Sequence, residues 1–458
     1  MSRCGSSSHP QGLSRVFFRS RTSAVSRVMW KGGIDESRGT SPTERRLMIF
    51  FGLAYFAHGI AGGLAKQPFT NYFKSLGMTA DMVAAWLSLA AIPWMIKPLY
   101  GLVIDLVPLW GYRRKSYLVL MAGFAAAGYA ALAHVVSTEF VVWALLISTL
   151  GIAAIDVVVD TLMVEEGLAL GVIRRFQGQQ WTWLNIAAIT AGLLGGWLSH
   201  SLLPEAAIRT AALIMIGGPV GVIIATWLFV EEPQRSFSRL HARTTAHEIA
   251  KGLKSKTFWL VGGFLAFWNL VPNFSTPLYY HMVDRLGFDQ YFIGELASIG
   301  SVGATLGSFA YRSLSDRFSI HQTLVVSILL SVIMALGYLL LQDGLSAAVL
   351  SFCSGIVSML ALLSLFTLAA SICPPHAAGF AFAALMSIYS ATAQIGAMMG
   401  GYLYEWVFQQ HIVPLIYLAA LCTLGALAWI PFFPARPECV RAEPSDEARH
   451  SSLRSLPA

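Results

Sequence analysis

From residue 47 onward the chain alternates long apolar runs with short polar or basic connections. Each run holds about 20 residues, the length a helix needs to cross a ~30 Å hydrocarbon core. Twelve are found, over 47–73, 81–104, 117–137, 140–164, 178–200, 207–230, 257–281, 290–312, 321–341, 345–372, 378–404 and 411–433. Backbone amides in lipid must bond within their own segment or in a closed barrel, and these runs are too long for barrel strands. The pattern therefore predicts an all-α polytopic membrane protein with 12 transmembrane helices. The longest internal connection, "EEPQRSFSRLHARTTAHEIAKGLKSK", divides the runs six and six, as in two helical bundles joined by a linker. The expected domains are a basic tail over 1–46, a six-helix bundle over 47–230, a linker over 231–256, a second bundle over 257–433 and a C-terminal tail over 434–458.

Composition agrees with this reading. Only 12% of residues are charged, against roughly 25% in a soluble chain. The basic residues are also one-sided. With both tails on one side, the loops there hold thirteen Lys and Arg and the opposite loops hold three, Lys74, Arg209 and Arg285. This bias places both termini and the linker in the cytoplasm or its organellar equivalent. It also accounts for the net charge of +7 without a nucleic-acid partner.

The first 34 residues carry six basic residues, eight serines and no acid. That composition suits an organellar transit peptide, a disordered basic tail, or a start codon ahead of Met29 or Met48. The plasma membrane is the expected location, with a plastid envelope or another organelle as the alternative. Cys4, Cys353, Cys373, Cys422 and Cys439 show no metal spacing and read as inert thiols. No metalloprotease helix, serine-nucleophile elbow or nucleotide-binding loop is found, so neither an enzyme, a cofactor nor ATP is expected.

Charge inside the runs points to function, because a charge at the centre of a membrane helix costs at least ~2.5–3.5 kcal/mol. Counting ~1.5 Å per residue puts Lys97 in the second run and Asp156 in the fourth at one depth, with Asp160 a turn deeper on nearly the same face. Two roles compete for the carboxylates. One is a gate at the cytoplasmic end, where Asp105, Asp160, Arg113 and Arg114 latch in one state and part in the other. Arg312, Asp316 and Arg317 repeat the pattern in the second half. The other is a binding or proton site, open to Asp156, His58 or Glu295.

In "YFAHGIAGGLAKQPF" (55–69), His58 lies near mid-membrane and Lys66 nearer the outside. Lys66 either snorkels outward or receives a substrate carboxylate. Gly59, Gly62 and Gly63 allow close packing or backbone exposed to a cavity. In the seventh run Asn269 lies near mid-membrane and two prolines bracket Asn273. Broken helix at that depth is tolerated where it lines a cavity.

"IKPLYGLVIDLVPLWGYRRKSYLVL" (96–120) and "DVVVDTLMVEE" (156–166) resemble the folate–biopterin transporter family of the major facilitator superfamily. Gln179 with Trp183, and "FWNLVPNFSTPLYYHMVDRLGFDQYFIGELASIGS" (267–301), are also similar to that family. The resemblance covers roughly residues 90–330. It implies a monomeric secondary transporter of folates or pterins in the bilayer, working by alternating access. It also implies a substrate contact for Gln179 and Trp183, by hydrogen bonding and by stacking on a flat heterocycle. Carriage of another organic anion, of muropeptide or acetyl-CoA type, is the alternative within transporters. A receptor or scaffold that carries nothing is the alternative outside them.

Overall fold

A computed structural model describes residues 41–134, 137–234, 255–373 and 378–433. The side chains of Asp105 and Leu106, Leu168, Ile173 and Arg174, Arg312, Asp316, Ala378 and Gly379 lie outside that description. The described residues 41–45 belong to a unit separate from 46–458, and in it the Ser41 hydroxyl accepts the Glu44 N–H at 3.1 Å.

The unit 46–458 is built from helices. Among the described residues, nine are long and apolar enough to cross a membrane: Pro42–Ser75, Lys115–Leu132, Thr138–Gly167, Pro204–Phe229, Gln290–Ser315, Ile320–Leu340, Gly344–Ser371, Phe380–Val407 and Ile412–Phe432. Three more passes complete the twelve. The fifth is the helix Ile173–Ser201, whose first half carries Gln and Trp residues. The second and seventh are interrupted.

The second pass departs from the single run over 81–104 that its hydropathy suggests. It divides into Ala80–Ala90, Ile92–Met95 and Lys97–Leu106. The causes are Pro93 and Pro98, since each ring removes a donor and crowds the turn before it. The Pro93 carbonyl takes the Tyr100 hydroxyl as its donor, at 3.1 Å. Lys97 therefore opens a new helical segment at a bend. The seventh pass is Lys256–Asn269 followed by Ser275–Asp284, with the break over 270–274. That break rests on the eleventh pass, where Asn273 N–H donates to the Gly396 carbonyl at 3.0 Å.

Buried Phe50, Phe51, Leu118, Leu132 and Phe176 centre the core of the first six passes. Phe258, Phe264, Leu265, Leu324, Leu365 and Leu385 centre that of the last six. The loops keep to local rules. Asp289 caps the eighth pass through Phe292 N–H at 2.7 Å, and Ser319 with Gln322 forms a capping box on the ninth. The exposed Asp343 opens the tenth, and the Ser346 N–H donating to it holds its carboxyl below the usual carboxylate range. In "LWGY", Trp110 and Gly111 have φ of +50° and +80°, and Leu109 and Tyr112 exchange backbone bonds of 2.9 and 3.0 Å. This tight primed turn delivers Arg113 and Arg114 to the start of the third pass.

Candidate functional site: an ionic cluster in the passage

The bend at Lys97 aims its side chain at the fourth pass. Lys97 Nζ donates to Asp156 Oδ2 at 2.7 Å, and His58 Nδ1 from the first pass stands 2.7 Å from Oδ1. The histidine contact is close but is not aligned as a hydrogen bond. Asp156 is 5% exposed against 20% for Lys97 and 25% for His58, so the acid is the enclosed member and the bases border open space. Trp94 completes the group. Its ring lies 5.1 Å from that of His58, and the ammonium sits 4.5 Å above it.

One turn further along the fourth pass, Asp160 has a different environment. Its Oδ1 accepts the Tyr55 hydroxyl at 2.8 Å and Gln180 Nε2 at 3.1 Å. Among the described residues no basic side chain reaches ion-pair distance of it.

At the expected cytoplasmic end, Arg114 donates to Glu165 at 2.8 Å. Glu165 lies five residues beyond Asp160, about 7.5 Å nearer the helix end where Arg114 begins the third pass. Glu232 accepts the backbone N–H groups of Arg113, Arg114 and Lys115 at 2.9, 3.0 and 2.9 Å, an acid on a helix N-terminus. Arg317 is exposed at the end of the eighth pass. The side chains of Asp105, Arg312 and Asp316 lie outside the described residues.

The remaining candidates are spread out. Gly59 and Gly63 face Ala187 and Ala191 of the fifth pass, so they serve close packing, whereas Gly62 opens onto free space. Gln179 Nε2 donates to the Met48 carbonyl, and the Trp183 indole lies against Gly52. Both therefore turn their polar edges to the first pass. Asn269 Nδ2 donates to the Leu265 carbonyl of its own helix at 3.0 Å, and Asn273 Oδ1 accepts Ser275 N–H at 2.7 Å. Glu295 is half-buried on the eighth pass. Tyr55, Trp94 and Gln180 are the site residues that sequence reasoning missed. Trp94 precedes Lys97 by three residues and Tyr55 precedes His58 by three, a spacing that shares a helix face.

The two halves touch through the opposite loops and the membrane half beneath them. Lys74 Nζ holds both Asp284 oxygens, at 2.7 and 2.8 Å, and lies 4.4 Å over the Tyr280 ring. Gln67 donates to the Gln290 carbonyl at 2.6 Å, and Trp406 Nε1 to Asp81 at 2.9 Å. Deeper in, Ser298 donates to the Ile189 carbonyl at 2.9 Å and Ser88 to that of Gln394 at 3.4 Å. Among the described residues no hydrogen bond joins the halves at the basic end. The bonds that close the passage among the described residues thus lie above the cluster, on the side of the opposite loops.

The fold is shared with solved transporters. The nucleoside transporter NupG superposes with a TM-score of 0.65 at 16% identity, covering 86% of this chain and 98% of that one. A D-xylose–proton symporter superposes with a TM-score of 0.65 at 13% identity, covering 85% and 98%. The architecture is thus of the major facilitator type, an integral multi-pass membrane protein. By sequence, the chain is 27% identical over 414 residues to the folate-biopterin transporter of Synechocystis sp., covering 87% of this chain and 83% of that protein. It is 26% identical over 424 residues to the probable folate-biopterin transporter 4 of Arabidopsis thaliana, covering 76% and 86%. Folate transporter 2 of Plasmodium falciparum is 24% identical over 340 residues, covering 70% and 71%. The family model that describes the BT1 family matches residues 58–443, and with that span matched the chain belongs to the BT1 family.

Proposed function

We propose that this protein is a secondary transporter of folates or related pterins that works by alternating access. The observation that carries the reading is the ionic cluster of Lys97, Asp156 and His58 against the Trp94 ring, placed beneath the bonds that close the passage towards the opposite loops. A pterin is flat, with acceptors along one edge and an amino and ring N–H pair along another. Trp94 offers a face to stack on, Lys97 and His58 offer donors, and the carboxylates offer acceptors. Relatives named as folate or folate-biopterin transporters support that substrate class.

Proton coupling is assigned to Asp160. Asp156 is already paired with Lys97, while Asp160 has hydrogen-bond donors and, among the described residues, no cation at ion-pair distance. Two carboxylates one turn apart in a membrane are costly to keep ionised together. A proton taken up by Asp160 on one side and released on the other relieves that repulsion. The same reading keeps the bundles over 47–230 and 257–433, with both termini cytoplasmic, and a monomer, expected in the plasma membrane, as the working unit. The basic-end residues Asp105, Arg113, Arg114, Arg312, Asp316 and Arg317 then act as the cytoplasmic gate.

The test is uptake of labelled folate and biopterin by cells lacking their own route, comparing wild type with Asp156→Asn and Lys97→Ala. Loss in both variants at normal protein levels supports the reading. Absence of uptake by the wild type sends the substrate search to other organic anions.

A further inference from the structure

We infer that Lys66 anchors a substrate carboxylate and so selects carboxylate-bearing pterin conjugates, such as folate, over unconjugated pterins. This rests on the pterin reading of the passage given above.

The first pass presents His58, Gly62 and Lys66 at intervals of four residues, which puts them on one face. His58 belongs to the ionic cluster, and Gly62 opens onto free space with no atom within 4 Å of where a Cβ would stand. Lys66 is exposed, and it continues the face of His58 and Gly62, which turns to the passage rather than to lipid. Its position agrees. Lys66 lies nine residues short of Ser75, about 14 Å below the helix end, farther than a lysine stem reaches for the interface. Among the described residues its ammonium has neither an ion pair nor a hydrogen bond, while the next residue, Gln67, helps seal the passage. Lys66 is thus a cation at the ceiling of the open passage.

The geometry sets the ligand's length. His58 and Lys66 are eight residues apart, a rise of about 12 Å. A pteridine at the cluster, extended through an aminobenzoate ring, brings a glutamate carboxylate to that height. Gly62 leaves the wall between them bare. Biopterin bears a short hydroxylated side chain and no carboxylate, so it has nothing to offer Lys66.

The experiment measures initial uptake of labelled folate and labelled biopterin by wild type, Lys66→Gln and Lys66→Arg in membrane vesicles, with thermal stability of each purified variant as the folding control. The expected result is a fall in the folate-to-biopterin ratio of roughly tenfold or more in Lys66→Gln, as for a lost charge-assisted hydrogen bond, with partial recovery in Lys66→Arg. An unchanged ratio, whether both uptakes persist or both fall together, overturns the inference and leaves the pterin reading standing. A wild type that carries biopterin but not folate also overturns it. A wild type that carries neither overturns the pterin reading, and the inference with it.

Discussion

Lys97 Nζ and Asp156 Oδ2 stand 2.7 Å apart although 59 residues separate them in the chain. The pair depends on the bend that two prolines put into the second pass. Removing one member leaves the other without its ion-pair partner, which for a fully buried pair costs about 3–5 kcal/mol and sets the upper bound here. Lys97→Met and Asp156→Asn should each lower the melting temperature of detergent-purified protein. The double variant should recover most of that stability while uptake stays lost. Additive losses in the double variant would show that the two residues are not coupled.

Asp160 should separate exchange from accumulation. Asp160→Asn removes the proton carrier but keeps a side chain that fits beside Tyr55 and Gln180. Counterflow of labelled substrate should persist, while accumulation driven by an imposed proton gradient should vanish. Accumulation at the wild-type level would exclude Asp160 from coupling.

The break in the seventh pass should depend on two glycines of the eleventh. A Cβ at Gly396 would collide with the Asn269 carbonyl, and one at Gly400 with that of Asn273. Gly396→Ala and Gly400→Ala should therefore reduce folded yield in size-exclusion profiles. Gly62→Ala, with open space around it, should not. Equal yields from all three would contradict this packing.

The seal at the opposite end should open when its charges repel. An exposed ion pair contributes only about 0–1 kcal/mol, so Lys74→Ala should act weakly. Asp284→Lys places two ammonium groups where one pair stood and should act more strongly. A cysteine introduced by Gly62→Cys in a background without the native thiols should then react faster with an impermeant reagent added from that end. Unchanged labelling would show that the remaining cross-bundle bonds hold the seal by themselves.

Much of the fold was legible because apolar length and basic asymmetry are properties of single segments. The level shared by Lys97 and Asp156 was legible too, since helical rise converts residue count into depth. The partner of Asp160 was not. Arg113 and Arg114 are the nearest cations by depth, but depth says nothing of azimuth, and Tyr55 and Gln180 occupy that side. Gln179 and Trp183 carried the family pattern, yet their neighbour Gln180 is the residue that turns towards the carboxylates. The seal was hidden for another reason. Lys74 and Asp284 are 210 positions apart, on loops whose meeting depends on the conformation adopted.

Where the fifth and eighth passes cross, Gly192 and Gly196 lie directly on Gly294, backbone against backbone. Helices commonly interlock through side chains, and sliding one over another then requires each to change rotamer. Here the contact is backbone on backbone, with the Ser298 hydroxyl bonded across it to the Ile189 carbonyl. The crossing can serve as a smooth bearing between the halves, on which one can tilt while the bonds above it part. A single added methyl at any of the three positions would work like grit in that bearing, slowing the turnover of a protein whose binding site remains intact.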